Sequence, residues 1–400
     1  MSWQHGRVEA RAGSWSRAGA VLAGTVALVL YLRLRLLEPA AHWPLWDVNV
    51  YHWAGAQVAH GAALYAGSAP YHFTYPPFDA ALFGLGGEAP AIYLKLAISA
   101  ASVCALVVLC ALSLGAAGVP RRPELVFAAA ALALLTVPVV DTLHLGETDL
   151  IVAALVATDV LRRRDGGRWQ GVGVGLAAAI KLTPLIFVAY LLATRRARAA
   201  AVAMVTFAAT LLAGFLLLPA DSRTFWLDGV FLQARRVGNP INLDDQSLAG
   251  TVARLAGGPA QGVGWWYGAA VLTAVAGFAV AVWAHRRGHR LAGAVCCGIT
   301  GLLVSPISWT HHWVWAVPLL VLLTVVAWRR RSRWCALAAV LTAGVFSAAA
   351  ALPSTWGPLG LGGTVAANAY VWCGAAVLVA TAVVLYRERE IRLAGHTMLR

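Results

Sequence analysis

The sequence predicts an all-α polytopic membrane protein of about twelve transmembrane segments. Three observations carry that reading. The 400 residues are 60% hydrophobic and only 12% charged, roughly half the charged share of a soluble chain, and the mean hydropathy is +0.71. Apolar runs of about 20 residues recur along the length, each able to cross a hydrocarbon core of about 30 Å as a helix. Arginines fall in short clusters between these runs, as the positive-inside rule expects.

The same clusters account for the net charge of +14, so the basic balance reads as topology and no nucleic-acid partner is expected. All six cysteines (Cys104, Cys110, Cys296, Cys297, Cys335 and Cys373) lie inside apolar runs without a C-x-x-C pair. They read as small packing residues, with neither a disulfide framework nor a zinc site. No repeat of solenoid period is present.

Taken in order, Arg7, Arg11 and Arg17 precede a first span from Ala18 to Leu37 and place the N-terminus in the cytoplasm. That run is too long for a signal-peptide core and reads as a retained span. Arg33 and Arg35 then fall at the outer interface, where long side chains snorkel to headgroups. A polar, aromatic-rich stretch follows within a first extracytoplasmic loop at 38–90, with Pro77 to Leu85 too short to span. Ala91 to Ala116 returns to Arg121 and Arg122. Glu124 to Val140 exits, and Leu150 to Leu161 re-enters onto Arg162, Arg163, Arg164 and Arg168.

The segment 169–194 has arginines on both flanks, so both its ends belong on the arginine side. A hairpin of two short helices broken at Lys181-Leu-Thr-Pro184 satisfies this, because Pro184 interrupts the backbone ladder. Broken helices at membrane depth are tolerated where they line a cavity, and a lysine there is a functional candidate. Ala199 to Leu218 exits to a second long loop at 219–264. Trp265 to Trp283, Leu291 to Val304, Val314 to Trp328, Trp334 to Leu352 and Ala366 to Tyr386 complete the passes, ending in a cytoplasmic C-terminus. The chain reads as one domain over 1–400.

This parity gathers Asp47, Asp79, Glu88, Asp141, Glu147, Asp149, Asp221, Asp228, Asp244 and Asp245 on the outer face, with His42, His52, His60, His72, His144, His311 and His312. Solvated loop decoration is the ordinary role for any one of them. Asp47 and the His311-His312 pair differ in lying within a few residues of a span end, at headgroup depth. A carboxylate there can take the proton of an attacking sugar hydroxyl, and imidazoles can stabilise a phosphate leaving group. One carboxylate suffices when the leaving group is already a phosphate, unlike hydrolases, which need two. The i, i+4 histidine pair of a zinc site is absent, so no metal or other cofactor is expected. Asp244-Asp245-Gln246-Ser247 reads as a helix cap through Asp244 or Asp245, or as a substrate-positioning turn.

Six short motifs in order then carry a resemblance: Trp46-Asp47-Val-Asn-Val-Tyr51, Gly61-x-x-Leu-Tyr65, Phe73-Thr-Tyr-Pro-Pro77, Lys181-Leu-Thr-Pro184, Gln246-Ser247-Leu248 and Ser305-Pro-Ile-Ser-Trp-x-His-His312. Together they resemble family 87 of the C-type glycosyltransferases, the actinobacterial polyprenol-phosphate-mannose-dependent α-1,2-mannosyltransferases. The resemblance implies a GT-C-type fold in the plasma membrane and a catalytic first extracytoplasmic loop. It further implies a polyprenyl-phosphate-mannose donor and a glycolipid acceptor such as a phosphatidylinositol mannoside. Carried over, Asp47 is the base and His311 the histidine near the donor phosphate. Tyr51, His52, Tyr75, Lys181, Gln246, Ser247, Trp309 and His312 are substrate-binding candidates. Where relatives often show Gly-Gln-x-Asn, this chain has Gly146-Glu147-Thr-Asp149. An arabinofuranosyltransferase using a decaprenyl-phosphate donor is the alternative within the same fold. A secondary transporter is the alternative from another class, though its acids would be expected at the midplane and not in outer loops.

Overall fold

The computed structural model describes residues 17–36, 46–66, 72–87, 89–162, 166–258, 263–348 and 361–397. His42, Glu88, Arg7, Arg11, Arg163, Arg164 and Leu352 lie outside them. Among the described residues the fold is all helical, and the sole β pairing is one isolated antiparallel bridge between Asp245 and Trp309.

The first helix, α1 (Arg17–Leu36), is followed by α2 (Trp46–His60) and α3 (Pro77–Gly84), then by α4 (Ala91–Ala116). Next come α5 (Pro123–Ala133), α6 (Val137–Leu145) and α7 (Asp149–Val160). Prolines begin α3 and α5 at the first helical position, where the missing N–H costs nothing. Between α5 and α6 the chain bends by 79°. Gly146 ends α6 in the left-handed region (φ 73°), a conformation glycine takes without a Cβ clash.

The predicted break then follows. α8 (Val172–Ile180) stops at Lys181, whose backbone is extended, and a 3-10 turn at Thr183–Leu185 leads into α9 (Ile186–Ala193). Beyond it lie α10 (Ala197–Leu217), α11 (Pro219–Trp226), the short α12 (Ala234–Val237) and α13 (Leu248–Leu255). A long α14 (Val263–Arg286) pairs with α15 (Arg290–Val304). A 3-10 segment, Thr310–Trp315, opens α16 (Ala316–Arg330), and α17 (Arg333–Ala348), α18 (Leu361–Ala366) and α19 (Ala369–Thr397) complete the chain.

Close packing aligns α8 with α10. A Cβ on Gly171 would lie 2.0 Å from the Ala199 carbonyl, and one on Gly175 would lie 2.6 Å from the Ala203 carbonyl. Small residues let two backbones approach in this way where the surroundings are as apolar as the helices. On the other side α8 meets α7 antiparallel: Asp149 reaches Lys181, while Asp159 accepts from the Val174 N–H.

Arginine-bearing turns meet at one end of the bundle. Arg286 donates to the Ala193 carbonyl at 2.9 Å, Arg290 to Arg162 at 2.6 Å and Arg329 to Gly118 at 3.1 Å. Lys181, Asp149 and Glu147 lie together at the opposite end. The central core runs through α4, α7, α8, α15 and α16, and a smaller aromatic core of Tyr51, Phe73 and Phe225 ties the first polar stretch to α11.

Among the described residues six helices are long and apolar enough to cross a membrane, seven if α5 and α6 form one span. The dozen expected from charge parity counted passes, and several described passes are short. α7 has 12 residues, α8 has 9, α9 has 8, α15 has 15 and α17 has 16. At about 1.5 Å per residue none of these reaches about 30 Å. Exposed apolar side chains such as Val205, Leu216, Val275 and Val379 face outwards from α10, α14 and α19, as a lipid-facing surface requires.

Candidate active site

A cavity of about 370 Å³ opens at the end of the bundle opposite the arginines. Asp47, Tyr75, Lys181, Trp309, His311 and His312 line it, so the structure brings together six of the predicted residues from four distant segments. Deeper in, its walls become apolar: Val152 and Val156 of α7, Ile186 and Phe187 of α9, Gly298 and Leu302 of α15.

The centre of this site is Glu147, an acid that sequence reasoning placed on the right face without a role. Tyr51 donates to its Oε2 at 2.6 Å, Tyr75 to its Oε1 at 2.8 Å, and Lys181 to Oε2 at 3.1 Å. The Thr148 N–H adds a fourth bond at 3.1 Å. Lys181 also spans both oxygens of Asp149, at 3.0 and 2.9 Å. A buried lysine is sustained only by such pairing, because the charge has lost its hydration. Burial alone pushes the Glu147 carboxyl up, but Lys181, His311 and the Tyr51 hydroxyl outweigh it and hold the group below the usual carboxylate range.

Tyr51 is buried beneath the cavity floor and stacks on Phe83, with ring centroids 4.5 Å apart. It acts on the site through Glu147. Tyr75 reaches the cavity directly, and the Lys181 ammonium sits 5.4 Å from its ring centroid.

Asp47 stands in the first turn of α2, half-buried at the cavity wall. Burial is the main cause that raises its pKa, to about 8; Glu147 and Asp149 add to the rise and Lys181 opposes it. A base poised near neutral pH is the range a general base needs.

The histidine pair is held by α6. Thr310 donates to Asp141 at 2.7 Å, and Thr142 reaches the His311 carbonyl at 3.4 Å. The two rings stand perpendicular, 4.7 Å between centroids. His311 Nε2 is buried without a hydrogen-bond partner, and Glu147 Oε1 lies 3.8 Å away.

Among the described residues, Asp149, His311 and His312 are the set able to share a cation, their ligand atoms all within 4.8 Å of one another. Spacing could not reveal this, since the acid and the histidines are far apart in sequence. Both Asp149 oxygens already accept from the Lys181 ammonium, which supplies positive charge at that place.

Three predicted residues lie elsewhere. His52 points away and bonds the Ala89 carbonyl at 3.0 Å. Gln246 is buried behind the Trp309 loop; its amide donates to the Leu243 and Ala367 carbonyls and accepts from the Tyr370 N–H. Ser247 is the N-cap of α13, accepting from the Gly250 N–H at 3.0 Å. The capping role expected of Asp244 or Asp245 therefore belongs to Ser247. Asp245 instead receives the N–H groups of Ser247 and Ser308 and the Ser247 hydroxyl. This turn supports the wall that carries Trp309 and His311.

Comparison with known proteins identifies relatives along most of the chain. The profile of Glycosyltransferase family 87 matches residues 73–306. A polyprenol-phosphate-mannose-dependent alpha-(1-2)-phosphatidylinositol mannoside mannosyltransferase of Mycolicibacterium smegmatis is 33% identical, over 89% of this chain and 87% of its own length. The protein of the same description from Mycobacterium tuberculosis is 32% identical over 75% of this chain and 74% of its own. A Mycobacterium tuberculosis polyprenol-phosphate-mannose-dependent alpha-(1-2)-phosphatidylinositol pentamannoside mannosyltransferase is 34% identical over 69% of this chain and 65% of its own. No solved structure matches the chain at a significant level. With a family profile covering more than half of its residues and relatives aligned along most of its length, the chain belongs to glycosyltransferase family 87.

Proposed function

We propose that this enzyme transfers mannose from polyprenyl-phosphate-mannose to a mannose hydroxyl of a phosphatidylinositol mannoside or related lipoglycan. The product linkage is α-1,2, formed with inversion at the anomeric carbon. The observation that carries this reading is the two-part cavity: acid, lysine and histidines at its mouth, apolar helix faces beneath. Those parts match a lipid-linked sugar phosphate, with the phosphate at the mouth and the polyprenyl chain between α7, α9 and α15. The named activities of the family relatives support the same donor and acceptor class.

In this reading Asp47 accepts the proton of the acceptor hydroxyl as its oxygen attacks the anomeric carbon. The bond from that carbon to the phosphate oxygen breaks, and the polyprenyl phosphate leaves with its electron pair. His311 Nε2, which no group of the chain hydrogen-bonds, is placed to bond that phosphate, with His312 beside it. Lys181 sets the electrostatics from behind, fixed by Glu147 and Asp149. Tyr75 shapes the mouth, and Trp309 forms the wall towards the second loop.

The topology that fits is about twelve membrane segments, several too short to cross alone, with the first extracytoplasmic loop supplying the base. Clustering of the arginine-bearing turns at the far end supports a periplasm-facing site and cytoplasmic termini. The decisive test is Asp47→Asn in purified protein supplied with polyprenyl-phosphate-mannose and a glycolipid acceptor. Transfer at the wild-type rate by folded variant protein would refute the assignment.

A further inference from the structure

A second cavity, of about 510 Å³, adjoins the first and shares Ala234, Pro306 and Ile307 with it. Its other walls come from α12, the turn at 238–240, α13 and the first residues of α14. The partition between the two cavities is thin. A Cβ on Gly238 would lie 2.5 Å from the Trp309 ring, so the turn of the second cavity rests directly on an indole that lines the first.

The chemistry of this second cavity differs from that of the first. Its Trp266, Asn239 and Arg235 side chains offer N–H donors. The Trp266 indole Nε1 is buried without a hydrogen-bond partner. Asn239 uses its Oδ1 to accept from the Ile241 N–H, which leaves its amide nitrogen as a donor. Arg235 is exposed at the edge. Opposite these stand the small apolar side chains of Ala249 and Val252 on α13. A buried indole N–H ordinarily finds an acceptor, and leaving one unpaired carries a desolvation cost. Ligands fit such concave sites, of roughly 300–1,000 Å³, by covering apolar walls while satisfying a few placed polar groups. A pyranose ring has this pattern, with a C–H face for the apolar side and hydroxyl oxygens for the donors. A polyprenyl chain has no acceptor to offer.

We propose that this cavity is an acceptor subsite that binds the sugar next to the mannose being glycosylated. The proposal rests on the mannosyltransferase reading given above. It places the reacting hydroxyl at the shared rim by Pro306 and Ile307, facing Asp47, and the rest of the acceptor glycan over the second loop.

Binding and transfer separate the two readings. A soluble α-linked dimannoside is titrated calorimetrically into the full-length protein in nanodiscs, with Trp266→Phe, Asn239→Ala and Arg235→Ala alongside. Trp266→Phe keeps an aromatic ring and removes the indole N–H, and the two loop variants alter exposed side chains, so folding is checked by thermal melting and is expected to persist. The subsite predicts weakening of about tenfold in Trp266→Phe and in Asn239→Ala. In transfer assays the same variants raise KM for a dimannosyl glycolipid while KM for an octyl α-mannoside and for the donor stays at wild-type values. Undiminished dimannoside affinity in either, or no binding by the wild type, overturns the subsite even if mannose is transferred. Binding that depends on Trp266 in a protein that transfers no mannose upholds the subsite and refutes the activity.

Discussion

Two acid-bearing regions stand at the same end of this molecule and use their carboxylates in opposite ways. In the first, Glu147 and Asp149 share one lysine, and Asp47 lines a cavity beside them with its proton affinity raised. In the second, Asp245 is consumed by backbone N–H groups and a serine hydroxyl, and it fastens the loop that carries Trp309. Glu147, Asp149 and Asp245 are all buried, so burial alone does not mark function. What separates them is the partner: a carboxylate saturated by local N–H groups is scaffold, whereas carboxylates that outnumber the cation between them have charge left for chemistry.

Several measurements break or sharpen that contrast. The largest effect is expected at Asp47. Its replacement by Asn should lower kcat by about two to four orders of magnitude, the share a general base supplies, while thermal unfolding stays near wild type. Next is Lys181→Met, which strands Glu147 and Asp149 without their cation. Breaking a buried pair this way costs about 3–5 kcal/mol, visible as a lowered melting temperature. Adding Glu147→Gln and Asp149→Asn should recover much of that stability without recovering transfer, and full recovery of activity would argue that the lysine is structural alone.

The pH profile supplies a third measurement. Asp47 works as a base only when ionised, and its pKa is raised to about 8. Transfer should therefore climb with pH and level off above that value. Glu147 is one cause of the rise, so Glu147→Gln should move the climbing limb to lower pH. A limb unchanged in position would separate Asp47 from Glu147 electrostatically. The smallest effect is expected in the second region: Ser247→Ala removes the N-cap of α13 and should cost about 1 kcal/mol of stability, with kcat nearly unchanged.

Much of the fold is legible in the chain. The span Ala91–Ala116 is observed with the bounds its apolar run suggested, and the helix breaks where Lys181 and Pro184 predict. Span number is less legible, because arginine parity registers every reversal of direction but says nothing of helix length. Asp47 and the histidine pair could be picked out by their position at span ends, and Lys181 by the proline-marked break beside it. Glu147 could not be ranked above its neighbours from sequence, since its role comes from two tyrosines and a lysine 96, 72 and 34 residues away. A usable signal did exist, because a buried lysine requires an acid, and Gly146-Glu147-Thr-Asp149 offers two at a span end on the same face. Gln246 and Ser247, named for the motif that carries the resemblance, spend their polar groups on bonds that hold the turn and its neighbours, which only the structure reveals.

The interrupted pass at Lys181 has a consequence for biogenesis. A lysine at the centre of a membrane helix costs about 2.5–3.5 kcal/mol on insertion; Lys181 stands instead at the break between α8 and α9, apolar helices of 9 and 8 residues. Inserted alone, this hairpin would carry the ammonium without a counter-ion. α7 leaves the ribosome first, carrying Asp149 at its start with Glu147 just before it. The ammonium group is thus synthesised after its counter-ions, and the ion pair that organises the finished site is available to the hairpin as it docks.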